Sequence, residues 1–200
     1  MSDPAVMASI PVPGPASAPV RRERVLVLRN RQKDRPLSVP TLRRITLDLL
    51  EAMGLGAELG FHCVSADEMA RVNWQFLGHE GSTDVITFDH GSTSEHLHGE
   101  CFICVADAVA QARQFGTTWA EEVVRYVIHG ILHLRGYDDL EPAARRVMKR
   151  EENRWVRWTA ARGYALGSPV RQAVRRPARR PARTSPRSAR PAGRVRPQAP

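Results

Sequence analysis

Apolar and polar positions divide the chain into alternating strands and helices between about residues 24 and 163. VLVL after Arg24 is a β-branched and leucine run suited to a buried strand. Pro40 opens a helical pattern, TLRRITLDLLEAMG, in which Leu42, Ile45, Leu49 and Met53 share one face and glycine closes the segment. GFHCV at 60–64 reads as a second strand, after which Ser65 and Glu68, at capping-box spacing, start a helix through Met69, Val72 and Phe76. Strands are expected at Val85–Phe88 and Gly99–Val105. The polar, glycine-bounded GSTSEHLHG between them reads as a loop with His96 and His98 facing solvent. A helix over Ala106–Gln114 ends at Gly116, and Thr118 with Glu121 caps the start of the next. Glu141-Pro142 opens a last helix, with Val147, Trp155, Val156 and Trp158 among its apolar members, that stops at Gly163; its charged run REENR reads as a solvated face. The alternation predicts an α+β domain: a small mixed β-sheet of about four strands packed with helices, the helix after Thr118 at its centre.

Composition sets the limits of that domain. Residues 1–20 are rich in Pro and Ala and cannot bury enough surface to offset the entropy of ordering, so they are expected to form a disordered arm before a folded domain at 21–167. Residues 168–200 are Arg, Pro and Ala, without an aromatic to build a core, and read as a disordered basic tail. The net charge of +9 belongs to that tail: its ten arginines, taken from 30 basic residues, leave 20 against 21 acids. Clustered arginines attract RNA through counterion release with little sequence preference, and they equally serve solubility. Cys63, Cys101 and Cys104 form no disulfide framework, which fits a reducing compartment. Cys101 and Cys104 are three apart on an expected strand, so they point to opposite faces and read as core. No stretch holds the roughly 20 apolar residues of a membrane span, and five prolines with no basic residue before Arg21 argue against a signal peptide.

Candidate chemistry concentrates at 129–139, HGILHLRGYDD. His129 and His133, four apart, lie on one helical face about one turn apart, within reach of one metal ion. Gly136 permits the chain to turn back, and Asp139 then arrives at the same point from a loop. Two nitrogens and one carboxylate oxygen make an open zinc site. The surrounding VVRYVIHGILHL is apolar almost all round, so the helix should be buried. Hydrogen-bonded core histidines are the alternative; the i, i+4 pair followed by glycine and a carboxylate favours ligation. Asp138 could take the place of Asp139, but the ten-residue spacing prefers Asp139 and leaves Asp138 to support the loop. Gly130 stands where H-E-x-x-H metalloproteases carry their glutamate base, so the cradle is protease-like without that base.

These residues resemble the signature HGxLHLxGYDH of the YbeY family of metal-dependent endoribonucleases, with Asp139 in place of the usual third histidine. The resemblance extends to Asn73, Phe76, Thr83, Asp84, Val85 and Phe88, and departs at Leu77, where many family members carry an arginine implicated in RNA cleavage. It implies cleavage of single-stranded RNA, ribosomal RNA maturation and ribosome quality control at the ribosomal subunit, one bound zinc ion, a cytoplasmic location, and an α+β fold. His129, His133 and Asp139 would be the metal ligands. Asp84 is the nearest candidate for a general base by the same resemblance, and equally suits an Asx-type loop cap.

Two neutral imidazoles and one carboxylate leave a zinc complex at formal +1, where three histidines would leave +2. A water bound there is therefore expected to be less acidic than in a three-histidine relative. Two rival readings remain: a metallohydrolase of another class, such as a peptidase, or a non-catalytic ribosome-binding assembly factor with a structural metal.

Overall fold

The computed structural model describes residues 22–167. The expected arm at 1–20 and tail at 168–200 lie outside the described residues. The elements run β1 (Arg24–Asn30), α1 (Val39–Ala52), β2 (Gly56–Val64), α2 (Ala66–Leu77), β3 (Val85–Asp89), β4 (His96–Cys104), α3 (Val105–Phe115), α4 (Trp119–Leu134) and α5 (Pro142–Ala160). The fold is the α+β arrangement that the alternation predicts: one four-stranded mixed sheet in the order β1-β2-β4-β3. β1 and β4 both pair parallel to β2, and β3 closes the other edge antiparallel to β4.

The core lies between one sheet face and the helices α1, α3, α4 and α5. Leu59, Phe61, Leu97, Cys101 and Ile103 point from the sheet onto Ile128, Ile131 and Leu132 of α4, all essentially inaccessible to solvent. Full burial of each leucine, isoleucine or phenylalanine among them contributes roughly 1.5–3 kcal/mol. On the other face α2 covers only the end holding Val64, Ile86 and Cys104, through Met69. Cys101 and Cys104 thus sit on opposite faces, both in core.

Several expectations need correction. VLVL is buried on one side only: β1 is an edge strand, Leu26 and Leu28 face the core, and Val25 and Val27 remain 46% exposed on the part of the opposite face that α2 leaves open. β4 begins three residues earlier than expected, so His96 and His98 belong to a strand; the ladder pairs His96 with Gly56 and His98 with Glu58. Cross-strand hydrogen bonding overrides the polar composition there, and Gly56 leaves room, since a Cβ on it would lie 2.7 Å from His96 Nδ1. Ser65 caps α2 by accepting from Glu68 N, but the Glu68 carboxylate pairs with Arg31 at 2.7 Å instead of closing a box. In α5 the buried stripe is Met148, Glu152, Trp155 and Thr159, while Val147 is exposed, so the REENR run is not wholly solvated. Among the described residues no helix is long and apolar enough to cross a membrane.

Candidate metal centre

α4 starts where its capping box fixes it. Thr118 Oγ1 accepts from Glu121 N at 3.2 Å, and Glu121 Oε2 accepts from Thr118 N at 2.8 Å. The helix then carries its histidines past β3 and β4. Gly130 lets it approach the sheet: a Cβ there would lie 2.7 Å from Cys101 Sγ. After Leu134 the chain turns at Gly136, whose φ of +83° is a conformation L side chains rarely adopt. Asp138 Oδ1 then accepts from the backbone N–H groups of Asp139 (2.7 Å) and Leu140 (3.1 Å), while Arg145 Nε donates to Asp139 O at 2.8 Å. The loop is pinned on both sides, and Asp138 serves it as a cap.

The turn brings three side chains together. His129 Nε2 and His133 Nε2 are 3.0 Å apart, and the Asp139 carboxylate oxygens lie 3.7 Å from the first and 3.9 Å from the second. Their ligand atoms all fall within 4.8 Å of one another. A tetrahedral ion with bonds near 2.0–2.1 Å holds its ligand atoms about 3.3 Å apart, and the observed distances bracket that value.

The other ring nitrogens decide what this cluster wants. His129 Nδ1 donates to Glu152 Oε2 at 3.0 Å and His133 Nδ1 to the Tyr137 carbonyl at 3.1 Å. With Nδ1 so engaged, a neutral ring carries its proton on Nδ1 and turns its Nε2 lone pair towards the other ring. Two such lone pairs 3.0 Å apart would repel, and a cation between them and the carboxylate would relieve this. Burial, reinforced by the neighbouring His129, lowers the pKa of His133, which keeps its lone pair available at neutral pH. The residues present fit a divalent ion.

Glu152 is the residue that sequence reasoning missed. It is 3% exposed and accepts from His129 Nδ1, from Arg125 at 2.6 Å and from Lys149 at 2.9 Å. Burial alone would raise its pKa, but the hydrogen bonds from His129, Lys149 and Arg125 outweigh this and bring the carboxyl down to about 2. Arg125 also reaches Glu122 at 3.4 Å, which in turn accepts from Thr117 at 2.6 Å. A charged network thus backs the first histidine. Its sequence signal was the phase of α5: Glu152 falls on the Met148–Trp155–Thr159 stripe.

A cleft of about 650 Å³ opens beside this network, with His129, Asp139, Arg125, Tyr126 and Asp84 among its lining residues. Asp84 shares the cleft, but its Oδ1 accepts from Val85 N at 2.9 Å and from Thr83 Oγ1 at 3.2 Å, as a loop cap does. Leu77 ends α2 and is 50% exposed. The remaining histidines stay out of the cluster: His96 and His98 alternate with the core residues of β4 and face away from α4, and His90 packs edge-on against His98. His62 is buried, stacked on Phe102 and 3.3 Å from Glu100.

Fold and site together define an α+β protein built around a two-histidine, one-carboxylate cluster of the open metal-centre type. Residues 27–159 match the family model described as Endoribonuclease YbeY. The chain belongs to the endoribonuclease YbeY family, which is metal-dependent. It is 31% identical over 131 residues to the endoribonuclease YbeY of Salinibacter ruber, a match covering 61% of this chain and 83% of the relative. To that of Bacteroides thetaiotaomicron it is 38% identical over 97 residues, 48% of this chain and 70% of the relative. The solution structure of TM1509 from Thermotoga maritima is similar at a TM-score of 0.53 and 28% identity, covering 69% of this chain and 92% of that one.

Proposed function

We propose that the chain is a zinc-dependent endoribonuclease that hydrolyses single-stranded RNA in ribosomal RNA maturation, with His129, His133 and Asp139 as the ligands of one ion. The observation that carries this is the pair of Nδ1 hydrogen bonds, which leaves two lone pairs and a carboxylate aimed at one point. When bound, the ion supplies polarisation of a phosphoryl oxygen or ionisation of a water. The chain's own part is positioning. Glu152 and the Tyr137 carbonyl hold the two rings, Asp138 and Arg145 hold the loop of Asp139, and Asp84 caps the strand entering the cleft. Ribosomal association, a part in ribosome quality control and a cytoplasmic location belong to the same reading.

A peptidase is disfavoured by packing as well as by sequence, because a glutamate at position 130 would collide with Cys101. A second reading, a non-catalytic ribosome-binding factor with a structural metal, draws on Leu77, an exposed apolar side chain where many family members carry arginine. Cleavage of a labelled single-stranded RNA by the intact chain, beside His133→Ala purified identically, separates them. Cutting by the intact chain alone, abolished by chelation and restored by zinc, is expected. Equal cutting by both would overturn the nuclease reading.

A further inference from the structure

Phe115 is the last residue of α3 and is 65% exposed, yet it lines the cleft that holds His129 and Asp139. α3 and α5 both pack on α4, so Arg125, Tyr126 and His129 form the floor, with Phe115 on one flank and Arg145 and Lys149 on the other. Arg125 is committed to Glu122, Glu152 and Asn153. Arg145 is engaged through Nε and Lys149 through one hydrogen bond to Glu152, which leaves donors on both for a ligand in the cleft.

An exposed aromatic face, cations and the candidate metal cluster, all lining one cleft, match the parts of a single nucleotide: base, phosphate, and the bond to be cut. Stacking on an aromatic is tolerant of sequence because every base has a π-face. In a duplex that face is covered by neighbouring bases, so such a contact selects single strands. The cleft's volume is within the range of about 300–1,000 Å³ typical of ligand sites.

We propose that Phe115 is the base-stacking residue of this site and that Arg145 and Lys149 hold the adjoining phosphate, so that single-strand preference originates in the α3–α5 cleft. The substrate class rests on the endoribonuclease reading above. The phosphate-contacting charge then lies on α5, where the family resemblance would place it at position 77 on α2.

The test uses the full chain and a single-stranded RNA carrying 5-iodouridine, photocrosslinked and mapped residue by residue, together with cleavage kinetics. A crosslink at Phe115 is expected. Phe115→Ala should lose it and raise KM roughly five- to 150-fold, the range of one stacked base, while Phe115→Trp keeps both. Arg145→Gln with Lys149→Gln should raise KM without moving the crosslink. Crosslinks confined to other residues, such as the arginine tail or Trp74, or a KM for Phe115→Ala within twofold of the intact chain, would overturn the proposal. If the intact chain cuts no better than His133→Ala, the nuclease reading fails and the crosslink alone decides the stacking.

Discussion

Glu152 Oε2 lies 3.0 Å from His129 Nδ1, joining α5 to α4 through a buried carboxylate. That bond fixes the ring's tautomer and orientation and makes its Nε2 a better donor to a cation. Glu152→Gln keeps the size but removes the charge. With His129 as a ligand, metal affinity should fall roughly ten- to hundredfold, the usual loss when the carboxylate behind a ligating histidine is removed, read by competition with a chelator of known affinity. Unchanged affinity would show that the ring is held by its packing alone.

Much of this site was legible in the sequence because its signals are local. The Thr118–Glu121 box, the i, i+4 histidines and the glycine turn are all separations of a few residues, and the helix obeys them. Glu152 was hidden because its role depends on where α5 docks against α4. Within REENR its neighbours Arg150 and Arg154 are exposed, and only helical phase sets it apart. The same holds for β4: nothing near His96 announces a strand, and the partner that makes it one lies at Gly56.

Gly130 is fixed by what it faces. Gly130→Ala places a methyl group 2.7 Å from Cys101 Sγ and should cost about 1–3 kcal/mol as overpacking. Adding Cys101→Ala removes the sulfur and leaves the Cys101 Cβ, 3.5 Å away, as ordinary contact. The double variant should therefore be more stable than Gly130→Ala alone, a coupling that denaturant titration of the four species measures. Additive losses would mean that α4 shifts as a body.

The three cysteines give a pH prediction. Burial pushes each thiol up to about 12 from an ordinary value near 9. The folded state therefore holds these protons more tightly than the unfolded one, and stability is lost as pH rises from about 9 towards 12. Thermal midpoints should fall more between pH 9 and 10.5 than between pH 7 and 9. At pH 8 the native chain should resist alkylation by iodoacetamide, with all three thiols reacting only in denaturant, because the thiolate is the nucleophile.

Asp138 and Asp139 divide the work of the loop, one capping backbone N–H groups and the other facing the histidines. Asp139→Ala should weaken metal binding far more than Asp138→Ala, whose effect is to loosen the loop. Asp139→His is the sharper substitution. It replaces a carboxylate with a neutral imidazole, which in the proposed divalent site raises the formal charge from +1 to +2. A more positive centre favours ionisation of any group beside it. The rising limb of the activity–pH profile should therefore move to lower pH in Asp139→His. A profile that stays in place would mean that the group setting it does not sense the ligand charge, and Asp84, in the same cleft, would be the next residue to substitute.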